Sequence, residues 1–488
     1  MKIYNSGPNA SLDQVVLFPF DDHSIPFQRG VRLQLVGYQS SAEGGTRVVV
    51  PLGSPGAPDD GAVFYYGAVC RVGDELLMWY LGRPTVEGFR GRVCFARSRD
   101  GYHWEKPALG LVEYGDNTQN NLVDLGDQEP VSALTAMYEP EDPDPSRRFK
   151  MVYETNPPPG GARFNVAFSG DGVRWKPQPV TPAKLSCEMS GLTKFNGCYH
   201  VCVQSGGGHF GPDRQLQTFV SYDFQHWMAA SCSSFMRGNI PPRPVISGSH
   251  AGEQVHLGAG LWNRGNVVLG VYGQWHGHPT NDRRLVSIDL GLVVSQDVLH
   301  FREPIPDFRF VAASEDSYAS GSAGRELRFP ALEQGQGFEN IGDETLFWYG
   351  SWSYNDGVRL ATWPRDRLGY FGAFLARKMR SLQEAHFISS PIDLEGKPAS
   401  VYLNVDGLSD DSRISVEILD ERFEPIHDYS EQACVSPSQS GLRQPVGWQS
   451  HEQIEGVDGP VRIRVNFRGK RPEDVKIYAV YVEESRSV

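Results

Sequence analysis

The chain has 488 residues, of which 40% are hydrophobic and 22% charged, with 59 acidic against 46 basic side chains and a formal net charge of −13. This is the composition of a folded globular protein. It argues against a sequence-independent grip on nucleic acid or anionic lipid, both of which need clustered Lys and Arg, and no stretch reaches the roughly 18 apolar residues of a membrane span.

With 53 Gly, 34 Pro, 25 Phe, 20 Tyr and 10 Trp, the chain is rich in turn formers and aromatics, the profile of many short strands joined by tight turns. Met1 to Val16 lacks the apolar core of a signal peptide, so a cytoplasmic location is expected. Val15–Phe18 and Val31–Val36 read as strands, and residues 12–36 are expected to add a strand that closes the fold. Then come groups of three: Phe64–Cys70, Leu76–Leu81, Val93–Ser98; Val131–Tyr138, Phe149–Glu154, Asn165–Ser169; Ser190–Phe195, Tyr199–Gln204, Gln217–Ser221; Val255–Trp262, Val267–Gln274, Ser287–Ser295. A fifth group reads Leu327–Leu332, Thr345–Trp352, Val358–Trp363 and Gly372–Arg377. After Glu384, Phe387–Ile392, Val401–Val405, Arg413–Leu419, Val461–Phe467 and Val475–Val482 alternate as the strands of a β-sandwich.

The first four groups each end on one signature. Ser98-Arg99-Asp100-Gly101-Tyr102-His103-Trp104 returns as Ser169-Gly170-Asp171-Gly172-Val173-Arg174-Trp175, as Ser221-Tyr222-Asp223-Phe224-Gln225-His226-Trp227, and as Ser295-Gln296-Asp297-Val298-Leu299-His300-Phe301. The Asp accepts backbone N–H bonds within a turn, Gly supplies positive φ, and the aromatic folds back over the sheet. Units that cannot bury a face alone stack around an axis. The expected fold is all-β, a five-bladed β-propeller over 1–383 followed by a β-sandwich over 384–488, with a sizeable apolar interface between them. The seven cysteines form no CxxC pair and are expected as reduced, mostly buried thiols.

The run Cys94-Phe95-Ala96-Arg97-Ser98 through Lys106-Pro107-Ala108-Leu109-Gly110-Leu111, with Asn120-Asn121-Leu122-Val123, resembles the invertase, levansucrase and arabinanase superfamily. So do Leu17-Phe18-Pro19-Phe20-Asp21-Asp22-His23, Arg147-Arg148-Phe149-Lys150-Met151-Val152-Tyr153, Val416-Glu417-Ile418-Leu419-Asp420 and Gly441-Leu442-Arg443. The resemblance implies glycoside hydrolysis, often of furanosides, on a five-bladed propeller with a C-terminal sandwich. The superfamily's tryptophan-asparagine-aspartate-proline motif is absent here.

Each blade offers an acid near the start of its first strand: Asp60, Glu129, Glu188, Glu253 and Glu326. Glycoside hydrolysis needs two carboxyls across the scissile bond. The resemblance makes Glu188 the general acid, Asp60 the nucleophile or base with Asp22 and Asp59 as rivals, and Glu129 the transition-state stabiliser. Asp22, Tyr66, His256, Trp262, Arg264, Trp275 and Arg328 are expected to contact sugar, with Tyr65, His276 and Trp352 as further candidates. Gln274-Trp275-His276-Gly277-His278 is too sparse for a metal site, and Gly206-Gly207-Gly208 lacks the lysine and helix of a phosphate loop. No organic cofactor is implied; a structural Ca²⁺ near the axis stays open. The expected partner is a carbohydrate substrate, with no nucleic acid and no membrane. Transfer of the sugar to phosphate or to another sugar on the same fold is the alternative reaction; for phosphorolysis Arg264, Arg283, Arg284 and Arg328 would supply cations. A non-catalytic carbohydrate-binding propeller is the alternative from another class.

Overall fold

The computed structural model describes residues 1–4, 7–38, 47–85, 91–126, 130–156, 162–182, 188–205, 214–238, 252–313, 329–352, 355–374 and 385–485, and among these there is no α-helix. The four signature turns share one hydrogen-bond pattern. The Ser Oγ accepts the N–H three residues on at 2.9 Å in every copy, from Gly101, Gly172, Phe224 and Val298. The Asp carboxylate accepts the next N–H but one after that at 2.8 Å, from His103, Arg174, His226 and His300. The third position after Ser lies at positive φ throughout: +76°, +77°, +69° and +61°.

Phe224 and Val298 hold that conformation without being glycine because packing outweighs the strain. A non-Gly residue in the left-handed region costs about 1–2 kcal/mol. The fully buried Phe224 ring packs on Tyr199, Trp227 and Phe168 at centroid distances of 5.1, 5.3 and 5.6 Å. Truncating such a side chain costs about 3–5 kcal/mol. Phe224→Gly should therefore destabilise the protein by roughly 2–3 kcal/mol in denaturant unfolding. A gain in stability would mean that backbone strain dominates.

Three of the four turns anchor their own blade to the previous one. Trp348 of blade five donates its indole N–H to Gly101 O at 3.0 Å, Trp79 of blade one to Gly172 O at 2.7 Å, and Thr218 of blade three its hydroxyl to Val298 O at 2.9 Å. The resulting blades are antiparallel sheets around one axis. Their innermost strands are Ala62–Val72, Val131–Tyr138, Glu188–Phe195, Gly252–Asn263 and Leu332–Ile341, each in contact with the next and the fifth with the first. The signature turns follow the third strand of blades one to four, at equivalent places.

Blade five departs from expectation. Its inner strand begins at Leu332 rather than Leu327, and its outer strand is Arg47–Pro51, which pairs with Gly357–Pro364 and closes the ring. Residues 12–36 do not close it. Gln14–Leu17 and Val31–Leu35 join a sandwich sheet, as does Gly369–Ala373. That sheet runs through Cys434–Val435, Gly441–Trp448, Ala399–Asp406 and Lys476–Glu484. The facing sheet is Ser412–Leu419, Arg462–Gly469, His386–Ile388 and Phe27–Arg29. Strand alternation gives the first sheet two apolar faces. Val15, Leu17, Val401, Leu403, Val480 and Val482 enter the sandwich core. Val16, Phe18, Ala479 and Tyr481 point the other way, into a cluster with Leu269, Leu292, Phe310 and Phe347 of blades four and five. This is the apolar interface expected between the two.

Near the axis the inner strands approach too closely for side chains. A Cβ on Gly191 would lie 2.1 Å from Ala259 O, and one on Gly260 2.2 Å from Gly335 O. Four inner strands break register there, between Phe64 and Ala68, Met189 and Gly191, His256 and Ala259, and Gln334 and Phe338. Such bulges re-aim side chains toward a central site. Within the blade-five bulge Gln334 donates to His256 O at 2.7 Å, and Gln336 to Ala136 O at 3.3 Å, which ties the inner strands together near the axis.

Candidate active site

The bulged inner strands open at one end into a cavity of about 250 Å³. Glu188, Tyr66, His256, Trp275 and Trp352 all line it, together with Gln204, Arg214 and Arg283. The His256 ring is stacked on Trp352 at 5.1 Å and lies 5.8 Å from Trp275, with the Tyr66 ring at 6.5 Å. Arg214 lies over the Trp275 ring at 4.1 Å and Arg283 over the Trp352 ring at 5.0 Å. The lining mixes aromatic rings with polar side chains, among them Ser132, Asn156 and Gln204, as suits a polar small molecule.

The electrostatics separate the titratable groups. Burial raises the Glu188 carboxyl above its ordinary value, but Arg214, Arg283 and a 2.8 Å hydrogen bond from Gln204 favour the ionised form and limit the rise. Glu333, the second residue of the blade-five inner strand, is fully buried behind Tyr66. Burial pushes its carboxyl up to about 8, despite a 2.6 Å hydrogen bond from the Tyr65 N–H and the neighbouring Arg359, with Asp356 adding to the rise. Tyr66 is pushed well above its ordinary value by burial, then by Glu333 and Glu188. His256 is driven well below its ordinary range by burial, then by Arg214 and Arg283, so its ring is neutral.

Several expected site residues lie elsewhere. Asp60 sits in a surface turn outside the cavity, accepting the N–H groups of Gly56 at 2.7 Å and Thr85 at 2.8 Å, which hold it low. Asp59 is buried against Tyr80 and Lys106 at 2.7 and 2.6 Å, a structural ion pair. Asp22 is exposed and paired with Arg302. Trp262 stacks on Phe338 at 4.9 Å, and Arg264 pairs with buried Asp366, both at the sandwich interface. Tyr65 is fully buried and donates to Gln336 O at 3.1 Å. Glu129, Glu326 and Arg328 lie outside the described residues.

Glu253 belongs to a charge cluster beside the cavity. Burial raises it, but His276 at 2.8 Å and Arg237 at 2.6 Å outweigh that and hold it low. His276 also meets Asp289 at 2.9 Å, so both ring nitrogens are engaged. Arg237 donates to Trp275 O at 2.9 Å and so fixes the strand that carries this cavity-wall ring.

Sequence reasoning missed Glu333 and Arg214. Glu333 escaped because the strand was placed at Leu327–Leu332; in the observed register it stands at the strand start, as Glu188 does. Arg214 opens the strand Gln215–Ser221 and belongs to no motif.

No protein-family model and no curated protein matches this sequence. Solved structures do show similar folds. One, described as a glycoside hydrolase within the GH130 family of mannoside phosphorylases that targets β-1,2-mannosidic linkages in Candida mannan, is 15% identical, covers 68% of this chain and 95% of its own, and has a TM-score of 0.47. A glycoside hydrolase described as putative, from Parabacteroides distasonis, is 14% identical over 67% and 96% of the two chains, with a TM-score of 0.46. A GH32 β-fructofuranosidase of Bombyx mori is 12% identical over 90% and 94%, with a TM-score of 0.39. Among the described residues no helix is long and apolar enough to cross a membrane.

Proposed function

We propose that the protein cleaves glycosidic bonds in the axial cavity. The observation that carries this reading is a pair of carboxyls at the starts of two inner strands, Glu188 and Glu333, both raised by burial and Glu333 to about 8, beside an aromatic-walled cavity. Glycoside cleavage requires two carboxyls, one of them holding a proton. Glu188, favoured in the ionised form by two arginines, serves as nucleophile or as base toward water. Glu333 keeps its proton at neutral pH and reaches the cavity through Tyr66. As the bond from the anomeric carbon breaks, the leaving oxygen takes the Tyr66 proton, and Tyr66 takes the proton of Glu333. Tyr66 alone is too weak an acid for this step, and the relay supplies the driving force. Glu188 thus changes role from the expected acid to the carboxylate partner, and Glu333 with Tyr66 replaces Asp60 in the pair. Tyr66 and Trp352, both partly exposed, form the aromatic part of the wall beside which the sugar ring would lie.

The pH profile tests the assignment. With a poor leaving group, kcat/KM should fall on the acid side as Glu188 becomes protonated. It should fall again as the pH rises through about 8, where Glu333 loses its proton. With an activated aryl leaving group, which needs no proton, the basic limb should disappear. A basic limb that ignores the leaving group would exclude Glu333 as the proton source.

A further inference from the structure

Gln204 stands where blade three meets blade four. It lies near the end of the strand Cys198–Ser205, directly opposite Glu188 on the neighbouring inner strand, and both residues line the cavity. Its amide is engaged at both ends. The nitrogen donates to Glu188 Oε2 at 2.8 Å, and the oxygen accepts the Leu257 N–H of blade four at 3.0 Å.

Leu257 belongs to the bulge that breaks the blade-four inner strand between His256 and Ala259. Leu257 and Gly258 are consecutive left-handed residues, at φ +58° and +69°. A buried leucine held in that conformation is strained, and such strain persists only where the surroundings over-determine it. A bulge also loses ladder partners, so its buried N–H and C=O groups need others. Side chains of blades three and five supply them. Gln204 takes the Leu257 N–H, Ser190 donates to Leu257 O, and Gln334 donates to His256 O at 2.7 Å and to Gly258 O at 3.2 Å. Of these three side chains, Gln204 is the one that also meets a carboxylate. The amide suits both tasks because it joins a donor and an acceptor in one rigid plane.

Resting on the reading of the cavity as a glycoside site, we propose that Gln204 is a positioning residue that locks the Glu188 carboxylate to the His256-bearing bulge of blade four. A donor to a carboxylate oxygen favours the ionised form, so the form of Glu188 that fits the bulge is the one that reacts. Arg214 and Arg283 favour the same form, while Tyr66 and His256 face it uncharged. The arginines act by charge alone; Gln204 fixes one oxygen in space.

The test uses Gln204→Glu and Gln204→Leu in the full chain. Gln204→Glu keeps an acceptor for Leu257 and removes the donor to Glu188. Two facing carboxyls then share one proton, and the upper of their two steps should lie at least about one pH unit above the wild-type Glu188 step. Carboxyl ¹³C NMR with labelled glutamate reads these steps, the wild-type signal being the one missing from Glu188→Gln. In Gln204→Leu the Glu188 step should also rise, and the Leu257 N–H is left without an acceptor. That variant should therefore unfold at lower denaturant than Gln204→Glu, measured at a pH between the two carboxyl steps. Failure of Gln204→Leu to fold counts as the same loss, and Gln204→Glu still tests the carboxylate. A smaller shift in Gln204→Glu overturns the proposal, as does a Gln204→Leu variant as stable as Gln204→Glu. The titration needs no turnover. On an activated aryl glycoside the acid limb of kcat/KM should move up with the carboxyl step. Shifted steps in a chain that cleaves no glycoside support the positioning role and defeat the glycosidase reading. Cleavage with an unshifted Glu188 step does the reverse.

Discussion

Replacing Glu188 by glutamine is expected to lower kcat by at least about 10²–10⁴-fold, on activated and poor leaving groups alike. Glutamine keeps the shape of the side chain and can still meet the Gln204 amide, which now donates to Glu188 Oε2 at 2.8 Å. It removes the negative charge that attacks the anomeric carbon or draws a proton from water, and no leaving group compensates for that. It also removes the carboxylate that attracts Arg214 and Arg283. Binding of a neutral sugar should change little, so the loss belongs in kcat rather than KM. Tyr66→Phe provides the contrast. It removes the last link of the proton relay, so poor leaving groups should suffer by about 10²–10⁴-fold and activated aryl glycosides much less. If instead the Glu188 variant spares activated substrates, Glu188 is the proton donor first expected of it. If both variants retain turnover, the reaction does not occur in this cavity.

The propeller was legible because its chemistry is local. A Ser accepting one N–H, an Asp accepting another and an aromatic three or four residues on need no distant partner, so four copies could be read from the chain. Strand periodicity placed Val131–Tyr138 and Ser287–Ser295 at their observed bounds. The pairing of the two early strands was not legible. Gln14–Leu17 and Val31–Leu35 alternate like any strand, and nothing in their sequence says that their partners are Lys476–Glu484 and Gly369–Ala373. The site was partly legible for the same reason. Glu188 was singled out because acids at inner-strand starts point at an axis, and His256 and Trp275 because they stand beside the glycines of blade four; these three and Tyr66 do line the cavity. Asp60 satisfied that rule by position and failed by one local fact: Gly56 and Thr85 hold its carboxylate in a surface turn. Glu333 required the correct register, since a shift of one residue moves a side chain to the opposite face. Trp262 and Arg264 looked like sugar contacts because an aromatic beside a cation is equally suited to a buried interface.

That interface gives the largest expected loss of stability. Asp366, almost fully buried, accepts from Arg264, from Asn340 at 2.9 Å and from the Tyr481 hydroxyl at 2.8 Å. These partners come from blade four, blade five and the sandwich, so one carboxylate ties three parts of the chain together. Burial alone would raise its pKa, but Arg264 and the hydrogen bonds outweigh burial and hold it below the usual value. Asp366→Ala leaves the Arg264 guanidinium buried without its counter-charge, and it leaves Tyr481 and Asn340 without an acceptor. Breaking a buried pair in this way costs about 3–5 kcal/mol. The left-handed backbone at Asp366, φ +59°, adds to the penalty for alanine. Replacing both partners with apolar residues, Arg264→Met with Asp366→Leu, should recover much of the loss, because no charge is then left unpaired. The sign of the pH effect follows from the depressed pKa. The wild-type contribution is fully present above the unfolded carboxylate value, near 3.9, and is lost as the pH falls through the lower folded value. Denaturant unfolding of the two single variants and the double variant measures the coupling directly. A coupling below about 1 kcal/mol would rank the pair with ordinary surface ion pairs. The union of propeller and sandwich would then rest on the apolar packing of Val16, Phe18 and Tyr481 against blades four and five.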